Sequence, residues 1–257
     1  MPNDLRKMPP TLLRVVVLAA LMASCVPRNE APNLRVFAAA STRNVLESAQ
    51  RTCNIPIAFQ FAGSQTLKLQ LQHGAQADFF ISANAHHIDE LRRSGLVDTP
   101  KPLARNALTI ALGKGLLPEE SHIDTVAKAR TIALGIQVSP IGLYTETWLR
   151  YHIDTKATID EALLRSRVIS YDKNSRQLTQ RINRGDADLA IVYQSDAKAF
   201  PHLRTQAIPR DEQPPIEFYY ATLTNRQSPD AVVTAFQDCL GSQDFLAILR
   251  EQGFEPS

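Results

Sequence analysis

From Leu34 onward, short apolar runs alternate with segments whose apolar residues recur at helical spacing, which predicts parallel strands covered by helices, an α/β fold. Strands are expected at Leu34 to Ala40, Ile55 to Phe61, Ala77 to Asn84, Ala107 to Leu112, Thr131 to Ile136, Arg167 to Tyr171, Ala187 to Tyr193 and Glu217 to Leu223. Helices are expected after Ser41, at Leu67 to His73, Ala85 to Leu96, Ile123 to Ala129, Leu143 to Tyr151, Arg176 to Asn183, Pro229 to Leu240 and Gln243 to Gln252. The polar run Arg210 to Pro215 reads as a linker, so the chain leaves a first domain near Asn106 and returns to it near Ile216.

One junction recurs. A buried strand ends in small or polar residues and feeds directly into a helix at Ala39-Ala40-Ser41-Thr42, Ala62-Gly63-Ser64-Gln65, Val138-Ser139-Pro140-Ile141 and Lys173-Asn174-Ser175. The first turn of a helix carries unpaired N–H groups and partial positive charge, so each junction can hold an anion without a lysine or arginine. Ser41, Ser64, Ile141 and Ser175 are the candidate donors, and Tyr193, at the end of a buried strand, is a candidate fifth through its hydroxyl. None contributes a carboxylate, which suits a fully ionised oxyanion that only accepts hydrogen bonds. His86-His87 stand side by side in a first helical turn and point about 100° apart, too far to share one metal, and are expected to be solvated. Asp78, opening an apolar strand, is assigned a structural role.

Composition narrows the class. Twenty-eight basic against 26 acidic residues give a formal charge of +2, with no basic cluster to suggest nucleic acid. Arg6 and Lys7 precede an apolar run from Leu12 to Ala23 that is short for a membrane span of ~20 residues and reads as an export signal. It ends Leu21-Met22-Ala23-Ser24-Cys25, which resembles a bacterial lipobox. That resemblance implies cleavage before Cys25, acylation of its thiol, residues 26–33 as a tether and residence in the periplasm as a membrane-anchored lipoprotein. Export permits a disulfide between Cys53 and Cys239, which spacing alone leaves open.

Four stretches, Phe37-Ala38-Ala39-Ala40-Ser41, Phe61-Ala62-Gly63-Ser64-Gln65-Thr66-Leu67, Ala77-Asp78-Phe79-Phe80-Ile81-Ser82-Ala83 and Ile191-Val192-Tyr193-Gln194-Ser195-Asp196-Ala197, resemble the periplasmic molybdate-binding proteins in order and spacing. The resemblance implies a type II periplasmic-binding fold of two lobes, a central cleft and two crossovers. Residues 34–106 and 216–257 would form the first lobe and 107–215 the second, after a signal segment at 1–25. It further implies molybdate or tungstate as ligand, an ABC-transporter permease as partner, a monomer, no cofactor, and molybdenum as the only metal, carried as its oxyanion. Ser41 and Ser64 match serines that donate from the first lobe, Tyr193 a tyrosine that donates from the second, and Ile141 and Ser175 backbone donors. Other readings are a carrier of sulfate or phosphate, a ligand sensor, and an exported serine hydrolase. Against the last, neither serine lies in Gly-x-Ser-x-Gly and no His–Asp partnership is recognisable.

Overall fold

The computed structural model describes residues 34–155 and 157–257. The signal segment, Cys25 and the tether lie outside the described residues. Among the described residues, no helix is long and apolar enough to cross a membrane.

Two mixed sheets carry the architecture. The first has the order β11-β4-β10-β3-β1-β2, from β1 (Leu34–Ala39), β2 (Ile57–Ala62), β3 (Phe79–Ser82), β4 (Lys101–Asn106), β10 (Ile216–Thr222) and β11 (Glu255–Pro256). The second has the order β7-β6-β8-β5-β9, from β5 (Leu108–Leu112), β6 (Ile132–Gly135), β7 (Val168–Asp172), β8 (Leu189–Tyr193) and β9 (Arg204–Ala207). The chain therefore passes between sheets twice, through Ala107 and again between β9 and β10. Every residue of β3, β5, β6 and β8 is buried, which is why these strands read as unbroken apolar runs.

The sheets are not purely parallel, contrary to the expectation from the alternating pattern. β1 pairs in parallel with β2 and β3, and β6 with β7 and β8. But β10 runs antiparallel to β3 and β4, and β5 antiparallel to β8 and β9. Apart from β11, which runs antiparallel to β4, the antiparallel pairings involve the strands where the chain changes sheet: β4 and β5 flank the first crossover, β9 and β10 the second. Two of these strands have no sequence signature. β4 contains Pro102, tolerated beside an irregularity in its pairing with β10 between Phe218 and Tyr219, and β9 is a polar edge strand.

The helices are α1 (Arg43–Cys53), α2 (Ser64–Gln72), α3 (Ala85–Arg93), α4 (His122–Lys128), α5 (Pro140–Arg150), α6 (Glu161–Ser166), α7 (Ser175–Arg184), α8 (Gln194–Lys198), α9 (Asp230–Leu240) and α10 (Gln243–Glu251). Cys53, ending α1, and Cys239, near the end of α9, form a disulfide across 186 residues of sequence. Asp78 accepts hydrogen bonds from the amides of Arg35, Gln227 and Ser228, a structural use of a buried carboxylate. Trp148 is wholly buried.

The two crossovers are tied together. Arg210 Nη1 donates to Asn106 O at 2.7 Å, and the amide of Leu108 donates to Gln213 Oε1 at 2.6 Å. Asn106 Nδ2 also donates to Ser195 Oγ at 2.8 Å, which anchors the joint to the start of α8.

Candidate functional site

The four strand-to-helix junctions meet at one small cavity. Ser41, Ser64, Ile141, Ser175 and Tyr193 all line it, with Ala39, Ala40, Gly63, Pro140, Asn174 and others completing the wall. The space left for the centre of a water-sized sphere is about 20 Å³, somewhat more than one water needs. No carboxylate lines it, and its single lysine, Lys173, has an exposed side chain.

Local sequence explains how each junction presents its amide. Ser139 caps α5 by accepting from the amide of Gly142 at 3.1 Å, and Pro140 fills the first helical position, where no N–H is needed. Ile141 follows with a first-turn N–H that the helix cannot pair. Gly142 is required here, because a Cβ on it would stand 2.0 Å from Ile136 O. Asn174 caps α7 by accepting from Gln177 N at 3.0 Å, and Ser175 follows as the first helical residue, with a first-turn N–H that the helix cannot pair. Ser64 occupies the first position of α2, after Gly63, and Ser41 lies in the short 3-10 turn Ala40–Thr42 between β1 and α1.

The side chains divide into two kinds. Ser64 Oγ accepts from Ala83 N at 3.0 Å, so its own proton remains to be donated. Tyr193 is buried, and its hydroxyl has no hydrogen-bond partner among the described residues. Burial pushes its pKa well above the ordinary tyrosine value, with the Tyr144 and Asp196 charges acting in the same sense, so it stays a donor at any physiological pH. Ser175 behaves differently. Its Oγ accepts from Tyr193 N at 2.9 Å and sits beside buried Asp196, so its hydroxyl belongs to the wall and its amide to the cavity. The Ile141 side chain packs towards Gly135, whose added Cβ would meet Ile141 Cγ2 at 2.9 Å.

Behind that wall, burial pushes the Asp196 carboxyl up to about 6, against the opposing pull of the Ser175 hydroxyl and the Arg176 charge. Burial disfavours the charged form of this carboxyl, so it holds its proton to a higher pH than an exposed aspartate does.

Several contacts cross the cleft between the sheets, and no local pattern of residues marks them. Gln65 Nε2 donates to Lys173 O at 2.8 Å, Arg176 Nη1 to Asn44 Oδ1 at 3.1 Å, and His87 Nε2 lies 3.1 Å from Val138 O. These partners are 108, 132 and 51 residues apart, beyond the reach of any local pattern. His87 corrects an expectation: it is buried rather than solvated, because α3 turns its first turn against the 137–140 turn of the other lobe. Burial lowers its pKa to about 4, helped by Lys68 and His86 and opposed by Val138 and Glu90, so the ring is neutral and can donate from Nε2 to Val138.

A family model described as bacterial extracellular solute-binding protein matches residues 34–255. The molybdate-binding protein ModA of Escherichia coli K12 is 26% identical over 235 residues, covering 86% of this chain and 88% of that protein. The ModA of Haemophilus influenzae is 26% identical over 212 residues, covering 76% and 80%. Among solved structures, a periplasmic molybdate-binding protein of Azotobacter vinelandii superposes with a TM-score of 0.75 at 18% identity, covering 87% of this chain and 99% of that one. The sulfate-binding protein SubI of Mycobacterium tuberculosis superposes with a TM-score of 0.74 at 17% identity, covering 87% and 86%.

Proposed function

The chain belongs to the bacterial extracellular solute-binding protein family, binding proteins rather than enzymes, and from that premise we propose that it captures molybdate or tungstate between its lobes and delivers it to an ABC-transporter permease. The observation that carries this reading is the donor-only cavity. Ser41, Ser64, Ile141, Ser175 and Tyr193, whose first-turn amides or hydroxyls would be the donors, line one space, and no Asp or Glu is among its lining residues.

The chemistry follows from the donors. A tetrahedral dianion has four oxygens that only accept, and each finds an N–H or O–H rather than water. Helix N-termini add partial positive charge from more than one direction. With no mobile counter-charge in the cavity, discrimination falls to distance: donors set for long metal–oxygen bonds leave the smaller sulfate with stretched hydrogen bonds. The relatives named for molybdate support this choice of ligand. We take the lobes to hinge at the tied crossovers, with residues 34–106 and 216–257 moving against 107–215. The transporter's permease would then read the closed form, with the monomer held at the membrane through acylated Cys25.

Sulfate is the second reading, favoured by the superposition on a sulfate-binding protein. Calorimetric titration of the purified chain with molybdate, tungstate, sulfate and phosphate in turn decides between them. One-to-one binding of the first two with the others silent is the expected result. Binding of sulfate or phosphate alone would keep the anion site and refute the assigned ligand.

A further inference from the structure

Outside the wall of the cleft, the second lobe gathers a second polar cluster. His122 opens α4, His152 lies in the π-helical turn Tyr151–Thr155 that continues α5, and Glu212 ends the 3-10 turn Arg210–Glu212 of the returning crossover. His122 Nε2 lies 2.8 Å and His152 Nε2 3.4 Å from the same oxygen, Glu212 Oε2. The three candidate ligand atoms all fall within 4.8 Å of one another. His152 is buried and the other two side chains are largely shielded.

Thr158 holds the His152 ring in place. His152 Nδ1 lies 3.2 Å from Thr158 Oγ1, and His152 O accepts from the Thr158 amide at 2.9 Å. The ring turns Nε2 towards the Glu212 carboxylate, and in the tautomer with its proton on Nδ1 that nitrogen offers a lone pair to a metal. A tetrahedral centre with bonds of ~2.0–2.1 Å sets its ligand atoms about 3.3 Å apart; the 3.4 Å separation matches this, and the 2.8 Å one would have to open by a side-chain adjustment. The Trp148 ring stands edge-on to His152 at 4.9 Å and near His122 at 6.0 Å, an apolar wall that would limit water.

We infer that His122 Nε2, His152 Nε2 and Glu212 Oε2 form a site for a divalent d-block cation, best matched by Zn²⁺, with water as fourth ligand. Imidazole nitrogen and carboxylate oxygen are its usual donors, and three protein ligands leave one position open. The other histidine cluster differs. There Glu90 already pairs with Lys68, and His87 Nε2 is committed to Val138 O. A cation at His122, His152 and Glu212 would fasten the returning crossover to the helices of the second lobe, next to Gln213, which bonds the other crossover. It would stiffen the joint on which the lobes turn.

The test uses the full chain, freed of metal with EDTA and titrated with Zn²⁺ by calorimetry and with Co²⁺ by visible absorption. One Zn²⁺ per chain and the intense absorption of four-coordinate Co²⁺ are expected. His122→Gln and Glu212→Gln should each weaken Zn²⁺ binding by roughly a hundredfold or more, beyond the loss that an outer-shell partner causes. Their circular dichroism and metal-free melting temperature should be unchanged, since Glu212 is partly solvated. Zn²⁺ should raise the melting temperature of the parent chain and not of these variants, and His86→Gln should bind like the parent. Absence of one-to-one binding, or binding unaffected by His122→Gln and Glu212→Gln, overturns the assignment.

Discussion

Replacing Tyr193 by phenylalanine removes one oxygen and nothing else, which makes it the sharpest probe of the donor-only cavity. The Tyr193 ring packs against Phe218 and Tyr144, with ring centroids at 5.7 and 6.4 Å, so phenylalanine fits the same space. In the free protein the hydroxyl has no partner among the described residues, so its removal breaks no internal hydrogen bond. A buried hydroxyl left unpaired costs about 1–3 kcal/mol, and the variant should therefore be as stable as the parent or more so. With the anion bound the sign reverses. A hydrogen bond to a charged acceptor contributes about 1.5–3 kcal/mol, so molybdate affinity should fall by roughly 10- to 150-fold. Calorimetry gives the affinity, and thermal melts with and without molybdate give the stability. Each 1 kcal/mol moves the melting temperature of a chain this size by about 2–4 °C. Unchanged affinity would refute the role of the hydroxyl. A clear drop in the ligand-free melting temperature would refute the claim that it has no partner there.

Gly63→Ala tests closure: its backbone φ of −64° suits alanine, but the new Cβ would stand 2.7 Å from Lys173 O across the cleft. Molybdate affinity should fall at least about tenfold, by the cost of overpacking a tight contact, and the anion-induced compaction seen by small-angle scattering should shrink. Reducing the Cys53–Cys239 bridge should lower stability by up to about 5 kcal/mol on loop-entropy grounds, because it closes 186 residues of sequence, while molybdate binding by the folded fraction persists; denaturant melts with and without reductant check this. Asp196 carries a folded-state pKa of about 6 against the usual 3.8, so the folded chain holds the extra proton. Its contribution is complete below about pH 4 and disappears as pH rises through about 6, a loss of about 3 kcal/mol that Asp196→Asn should abolish in pH-dependent melts.

How far the sequence exposes this structure depends on the kind of information each part needs. β1, β3 and β8 are buried on every residue or nearly so, and a continuous apolar run is a local signal that survives without its neighbours. The junctions at Ser41, Ser64, Ile141 and Ser175 are also local, since a small residue, a cap and a following helix all lie within one turn. Their presence at one cavity is a different matter: four turns from two sheets converge only once the strand order is known, and the motif resemblance stood in for that knowledge. β4 and β9 were hidden because Lys101, Pro102, Arg105 and the polar run Arg204–Ala207 carry no alternation that marks a buried face. His122, His152 and Glu212 were hidden more deeply, for each reads alone as an ordinary polar residue at a helix end or in a linker.

The cross-cleft contacts bear on selectivity more directly than the cavity wall does. Gln65 to Lys173 O and the close approach of Gly63 to the same carbonyl set how near the two lobes come, and with it the distance between Ser64 and its proposed co-donors Ser175 and Ile141. If donors from one lobe alone determined the anion, substitutions at Gln65 would change affinity equally for every oxyanion. Because the gap is fixed by contact between lobes, shortening that contact should favour smaller anions and lengthening it larger ones. Gln65→Ala removes a bond from Nε2 to a backbone carbonyl, worth about 0.5–1.5 kcal/mol, and relaxes the gap without touching a donor. Molybdate affinity should fall by no more than about tenfold, while discrimination against sulfate narrows, since a looser gap no longer holds the donors at one spacing. A parallel loss for both anions, with their ratio unchanged in competition titrations, would show that each lobe sets its own donor geometry and that closure only shuts the door.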